Sequence, residues 1–388
     1  MPLAQAQNVR VTSRMTLGGP GSGGEVSSRS LDEYVAILGL SEDQHAAAKA
    51  IYEGYIAEYR RAGDTRRQAM MDVQRKAEDT GDQGVFLEKM PEIQKEFAAT
   101  SKRVEAAFFK DLKDLLSSEQ EAKWPAVERS RRREVGLRGQ SLSGAGVDLV
   151  SLVKRQGLAA DAMATLSTPL EQYEVEVDRV LQEAARLRDE GGDMDVGRGI
   201  DIAKIQERSK AWRDIGLRLQ EINERTKSKL DGMLPEASRE AFRTAYRAAA
   251  LPLVYRPSRV MRDVDSVMKM DDITPAQREK LEGMKAAYQR DAEGLNNAWA
   301  AAIRTSEAND QAGAAVSLPG GGQMMMKTDD DPEDLKKARQ ARSDLDDRTN
   351  EVLKGVLTAA QRERLANAAN EEEGGAGQMM MIRATGDR

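Results

Sequence analysis

The sequence of 388 residues contains no cysteine and a single histidine, His45. The absence of cysteine excludes disulfide bonds, zinc–thiolate sites and thiol chemistry. With one histidine, the chain indicates neither a histidine metal pair nor a Ser-His-Asp arrangement. It also lacks the GxxxxGK[ST] pattern of nucleotide-binding loops. We therefore predict no catalytic, cofactor-binding or metal-binding residue, and we expect His45 to face solvent.

Aromatic residues make up only 4% of the chain, and no apolar run reaches the roughly 18–20 residues of a membrane span. Charged residues make up 32%, with a formal net charge of −6, which calls for neither a nucleic-acid partner nor an anionic membrane. The dense basic run at Arg129–Arg133 is interpreted as a solvated helix end. The remaining composition favours Ala, Leu, Glu, Lys, Arg, Gln and Met, the good helix formers. The sequence predicts an all-α protein.

A short phrase recurs along the chain, as LSEDQ, LSSEQ, LPEAS, ITPAQ and LTAAQ. In four of the five segments a Ser or Thr is followed three residues later by Gln, which predicts a capping box at the start of a helix. The motif residues are Leu40, Ser41, Gln44, Leu116, Ser117, Gln120, Ile273, Thr274, Gln277, Leu357, Thr358 and Gln361.

The spacing of these phrases predicts three copies of one unit. Leu40 and Leu116 are 76 residues apart, as are Leu158 and Leu234, and Ile273 and Leu357 are 84 apart. A tyrosine stands fifteen residues after the first Leu or Ile of each copy, at Tyr55, Tyr173 and Tyr288. The middle copy keeps its leucines but has neither cap nor glutamine at its first phrase, Leu158-Ala159-Ala160-Asp161-Ala162.

Each unit is predicted to be a long helical hairpin with hooked ends, and the three together an elongated bundle. In the first unit Phe97, Val104, Phe108, Leu112 and Leu115 follow helical spacing, and TGDQG at 80–84 breaks the helix before them. The predicted organisation is a disordered segment at 1–28, helical units at 29–136, 147–250 and 260–369, a Met- and Gly-rich loop at 310–332 inside the third unit, and a disordered tail at 370–388.

Paired Leu-Ser/Thr-x-x-Gln phrases at both ends of a helical hairpin resemble the LTxxQ motif of the Spy/CpxP family, small helical proteins of the bacterial envelope. The resemblance covers most of residues 31–367, as three concatenated units. It implies an ATP-independent chaperone or stress adaptor whose partners are unfolded or other proteins. Ala4-Gln5-Ala6 is similar to the end of a cleaved signal peptide, so a periplasmic or other extracytoplasmic location is expected.

Two alternatives remain open on the sequence. One is a structural spacer or assembly subunit whose repetition builds length. The other concerns two copies of GQMMM, with methionines at Met324, Met325, Met326, Met379, Met380 and Met381. Thioether sulfur suits Cu(I), and methionine also makes adaptable contacts with partners. These six residues are candidates for partner contact, with copper binding as a weaker alternative.

Overall fold

A computed structural model describes residues 24–82, 84–190, 202–309 and 331–375, together with three short strands. The chain divides into two compact units. One comprises Met1–Ala250 and Ala312–Asp330, and the other comprises Leu251–Gln311 and Asp331–Arg388. The all-α prediction is confirmed. No helix in the described ranges is long and apolar enough to cross a membrane.

The helices of the first unit form two long pairs with short helices at their ends. Their bounds are α1 Ser28–Leu38, α2 Glu42–Thr80, α3 Gly84–Lys113, α4 Ser118–Glu121, α5 Trp124–Gly136, α6 Leu149–Lys154, α7 Ala160–Glu190, α8 Ile202–Met233 and α9 Glu236–Ala250. Helix α2 packs on α3, and α7 packs on α8.

The α2–α3 pair follows from the pattern of its sequence. Gly81, at φ +67°, ends α2 in the left-handed conformation that glycine adopts without strain. The apolar stripe of α3 is buried at Phe97, Val104, Phe108 and Leu112. Val104, Phe108 and Leu112 join a core that also holds Tyr55 and Ile56 of α2. Most of the pair's stability comes from this buried stripe, because an isolated helix is marginal in water.

The segment between the first two predicted units is part of a core. Leu137, Leu142 and Ala145 are buried in the same cluster as the second helix pair. Helix α5 also packs closely on α7: a Cβ added at Gly136 would lie 2.7 Å from Leu181. The first two predicted units therefore belong to one compact unit.

The second compact unit holds one long pair, α12 and α13, with short helices around it. Its bounds are α10 Pro252–Tyr255, α11 Arg259–Val267, α12 Pro275–Ala308, α13 Glu333–Val356 and α14 Ala359–Gly375. The core contains Val264 and Val267 from α11, Leu281 and Tyr288 from α12, and Leu353 from α13.

Three strands correct the predicted loop boundaries. They are β1 Val11–Arg14, β2 Ala315–Ser317 and β3 Gln323–Met326, antiparallel in the order β1-β3-β2. Val11 pairs with Met326, and Ala315 pairs with Met325. The predicted disorder at 1–28 and the predicted loop at 310–332 thus do not hold for these residues. The backbone groups of β1 are satisfied by pairing with β3, some 300 positions away in the sequence. No pattern near β1 itself therefore indicates the strand.

Two further boundaries differ from the prediction. Residues 24–28 are not disordered, because Val26 is fully buried and Ser27 caps α1. Helix α14 continues to Gly375, past the predicted start of the tail at residue 370. The rest of that tail, 376–388, lies outside the described residues, as do 1–10 and 15–23.

Candidate functional site

The four predicted capping pairs are present in the structure. The backbone N–H of Gln44 donates to Ser41 Oγ at 3.3 Å, while the N–H of Ser41 donates to Gln44 Oε1 at 3.0 Å. The same reciprocal bonds join Ser117 to Gln120, Thr274 to Gln277 and Thr358 to Gln361. Each box satisfies donors that a helix start would leave unpaired.

The two capping glutamines of the first helix pair also bond to each other. Their amide groups lie 2.8 and 2.9 Å apart in two Nε2–Oε1 contacts, although the residues are 76 positions apart. Gln44 Nε2 donates to the carbonyl of Leu115 at 2.8 Å, and Gln120 Nε2 donates to the carbonyl of Gly39 at 3.1 Å. We call this arrangement the glutamine clasp. It ties the start of α2 to the start of α4 and to the turn that follows α3.

A second glutamine clasp closes the α12–α13 pair. Gln277 Nε2 donates to Gln361 Oε1 at 2.9 Å and to the carbonyl of Val356 at 3.0 Å. Gln361 Nε2 reaches the carbonyl of Asp272 at 3.3 Å, and the Gln361 residue is only 2% exposed. The two clasps therefore make the same kinds of bond at the same end of their helix pairs.

The apolar residue of each phrase packs beside its clasp. Leu40 and Leu116 are half-buried against the core of the first pair. Ile273 is half-buried and Leu357 is buried in the core of the second unit. The phrase thus supplies an apolar anchor, a helix cap and a clasp residue within five positions.

The α7–α8 pair has no glutamine clasp. Ala162 stands where a glutamine is found in the other pairs, and its side chain has no polar atom. At the other end Ser238 replaces the glutamine, and Arg239 Nε donates to the carbonyl of Leu234 at 3.0 Å. This pair keeps Leu234 buried in its core.

The three repeated tyrosines each hold the backbone or side chain at the start of a short helix. Tyr55 Oη accepts from the N–H of Val26 at 3.0 Å, just before the cap of α1. Tyr173 Oη donates to the carbonyl of Val147 at 3.0 Å, just before the cap of α6. Tyr288 Oη is hydrogen-bonded to Oγ of Ser258, the cap of α11, at 2.6 Å. The descent of the three units from one copied hairpin stays a prediction, but these contacts are alike.

Burial governs the acidity of these phenols. It raises the pKa of Tyr55 and Tyr173 far above the ordinary tyrosine value, and it does the same for the fully buried Tyr34. Burial, followed by the hydrogen bond to the Asp346 carboxylate, raises the pKa of Tyr288 to about 12. All four phenols are therefore neutral at any physiological pH.

The basic run at 129–133 is not a solvated helix end as predicted. Arg131 is 6% exposed and Arg133 is 2% exposed. Arg131 Nε pairs with Glu105 at 2.8 Å, and its Nη2 donates to the carbonyl of Gly24 at 2.7 Å. Composition alone could not show this, because most of the carboxylates that neutralise the run, such as Glu105 and Glu174, come from distant parts of the chain.

Arg132 and Arg133, on α5, connect α1 with α6 and α7. Arg132 Nε pairs with Asp178 at 2.6 Å. Arg133 reaches Glu174 at 2.6 Å, Asp148 at 3.1 Å and Glu33 at 3.2 Å. We call these six residues the arginine junction. Burial lowers the pKa of Arg133, but the Asp148 and Glu174 carboxylates outweigh that effect and raise its pKa overall.

His45 and the first of the two methionine runs lie within the described residues. His45 is exposed in the first turn of α2. Met324–Met326 lie in β3, between β1 and β2. The second copy, Met379–Met381, lies outside the described residues, so partner contact and copper binding stay predictions. Within the described ranges, no group of three or more His, Asp or Glu residues is arranged to hold a metal ion.

Comparisons with protein-family models, with curated proteins and with solved structures found no match. The glutamine clasp was missed by the sequence reasoning, which assigned each glutamine to its own helix start. The sequence signal for the clasp was that one such glutamine precedes the helix pair and another follows it.

Proposed function

We propose that this protein is a non-enzymatic helical binding protein that acts as an ATP-independent chaperone or stress adaptor outside the cytoplasm. The observation that carries the proposal is the pair of glutamine clasps. The motif on which the resemblance to the Spy/CpxP family rests precedes and follows two helix pairs in the sequence, and its glutamines meet in each of them. The tyrosine contacts in both units, together with the arginine junction in the first unit, then hold the helices as preformed surfaces.

The distal half of the α2–α3 pair is the surface best suited to binding. Among the apolar side chains of this half that the structure describes, only Ala77 and Phe97 are buried. Met70, Val73 and Met90 are half-buried, and Met71 is 46% exposed. Adaptable methionines at partial exposure offer contacts to many sequences without forming a large permanent apolar patch.

Charges of both signs flank these apolar residues. Arg67 pairs with Asp64, and Arg75 with Asp72, all on exposed positions of α2. Exposed pairs of this kind are weak, so they are easily exchanged for charges on a partner. Charge would thus steer an unfolded chain to the surface, and apolar contact would then hold it.

An aggregation assay tests the proposal. A chemically denatured client is diluted into buffer with and without the protein at several-fold excess, and light scattering is recorded. We expect suppression by the wild-type chain without nucleotide, and weaker suppression by the variant in which Met70, Met71 and Val73 are replaced by Gln. The matched control is Gln74→Ala, which removes only an exposed bond to Glu78 (3.0 Å). Equal aggregation with and without the wild-type protein would refute the chaperone role.

A second candidate, a structural spacer or assembly subunit, is favoured by the arginine junction. Its ion pairs connect α1 and α5 with α7, and such buried contacts fix the relative position of helices more than they recognise a partner. Under this alternative, light scattering and electron microscopy would show ordered self-assembly, and clients would aggregate at the same rate with and without the protein.

A further inference from the structure

Residues 24–27, which we call the strap, lie against the first helix pair in a non-helical conformation before α1 begins. Val26 is fully buried, in the same cluster as Tyr34, Tyr55 and Phe108. The strap thus fills an apolar space between helices, although it belongs to none of them.

Side chains from distant parts of the chain hold the strap by its backbone. The N–H of Val26 donates to Tyr55 Oη at 3.0 Å, and its carbonyl accepts from Tyr52 Oη at 3.1 Å. Arg131 Nη2 donates to the carbonyl of Gly24 at 2.7 Å. Every peptide offers these backbone groups, so the contacts do not depend on the sequence of the segment that is held.

The strap buries only one side chain. Val26 is its one buried side chain, whereas Glu25 and Ser27 are half-buried. The site therefore selects a valine-sized aliphatic residue in a non-helical segment and places little demand on the neighbouring positions.

A comparable arrangement recurs in the second helix pair. There Val147 is 3% exposed, and its carbonyl accepts from Tyr173 Oη at 3.0 Å. Asn223 Nδ2 donates to the carbonyl of Gly144 at 2.7 Å, in a role like that of Arg131. Residues 144–147 are tied to helices on both sides, whereas the strap precedes every helix in the described residues. Only the strap can leave without displacing a helix upstream of it.

We propose that the groove around the strap, lined by Tyr52, Tyr55, Phe108 and Arg131, is a docking site for an extended peptide segment with a valine-sized residue. The strap is its resident occupant and is displaced when such a segment binds. The inference rests on the proposed function, since it names the class of client segment and the site that takes it. It is tested by direct peptide binding, separately from aggregation.

The experiment uses a fluorescent peptide of residues 22–28 and the full-length chain, with binding read by anisotropy. Val26→Asp places a carboxylate in the apolar space and should release the strap. We expect this variant to bind the peptide at least tenfold more tightly than wild type. A peptide with Asp in place of valine should not bind. Adding Tyr52→Phe and Tyr55→Phe should weaken binding at least tenfold.

The matched control is Tyr255→Phe in the Val26→Asp background. It removes a tyrosine hydroxyl that bonds to Asn297 at 3.2 Å in the other compact unit. Peptide affinity should be unchanged. Equal losses from the control and from the double tyrosine variant would contradict the assignment of the groove.

A measurement on the wild-type chain covers the case in which Val26→Asp does not fold. Hydrogen exchange should show the Val26 amide opening at least tenfold faster than the amides of α2 around Tyr55. Exchange of the Val26 amide and of the α2 amides at the rate of global unfolding would overturn the proposal. Concentration-dependent dimers that exchange straps, together with failure of the free peptide to bind, would also overturn it. Peptide binding without suppression of aggregation would refute the proposed function and leave the groove assigned.

Discussion

The glutamine clasp of the first helix pair makes a quantitative prediction. Gln120→Ala removes three kinds of bond: the cap on the Ser117 N–H at 2.9 Å, the bond to Gly39 at 3.1 Å, and the contact with Gln44. A net hydrogen bond contributes about 1 kcal/mol, and these groups are partly exposed, so we expect a loss of about 2 kcal/mol in the free energy of unfolding. Gln44→Ala, which loses an equivalent set, should cost about the same.

The double variant separates the clasp from the two caps. The contact between Gln44 and Gln120 is shared, so it is lost only once when both are replaced. The double variant should therefore cost about 3 kcal/mol, which leaves a coupling of about 1 kcal/mol between the two positions. Independent caps would give additive losses.

The assay is urea denaturation followed by the fluorescence of Trp124, four residues after Gln120. Trp212 and Trp299 are replaced by Phe, which leaves one tryptophan in a chain that has three. Gln74→Ala is the matched control, because it loses a single exposed contact within a helix and should cost no more than about 0.5 kcal/mol. A coupling below about 0.3 kcal/mol would refute the clasp.

Three further predictions concern the buried groups. Arg133→Met should lower the urea stability of the first unit by about 3 kcal/mol, because it leaves partly buried carboxylates without their partner; a loss under 1 kcal/mol would contradict the arginine junction. Gly136→Ala should cost about 1–3 kcal/mol by forcing Leu181 to move, whereas Gly54→Ala, with open space around it, should stabilise by about 0.5–1 kcal/mol. Tyr288 has an ordinary pKa of 10.0 in the unfolded chain and about 12 when folded. The stability that its neutral phenol contributes is therefore fully present below pH 10 and is lost as the pH rises from 10 to 12. Thermal melts across that range, compared with those of Tyr288→Phe, should show the variant losing less stability.

Much of the helical layout was predictable from local sequence. Ser41 and Gln44 cap a helix through atoms three residues apart, so the pattern alone indicates the bond. The stripe from Phe97 to Leu112 indicates the packed face of α3 for the same reason. The pairing of Gln44 with Gln120 was not predictable in this way, because an amide that caps its own helix gives no sign of a second partner.

The run Arg129–Arg133 shows the same limit for charge. A cluster of arginines indicates a solvated surface unless acidic partners are known to surround it. Arg133 finds Glu33, Asp148 and Glu174, which are 100, 15 and 41 positions away in the sequence. Its burial depends on the packing of α5 against α1 and α7, which no local pattern records.

The sequence by itself determined that the chain is helical, where most of its long helices begin and break, and which faces are apolar. These properties depend on residues within one or two turns of each other. Tertiary structure alone decided that the first two helix pairs belong to one compact unit, that the glutamines meet, and that Val26 fills a groove. Those contacts join groups separated by tens of residues, and their free energy depends on geometry that exists only once the helices have packed.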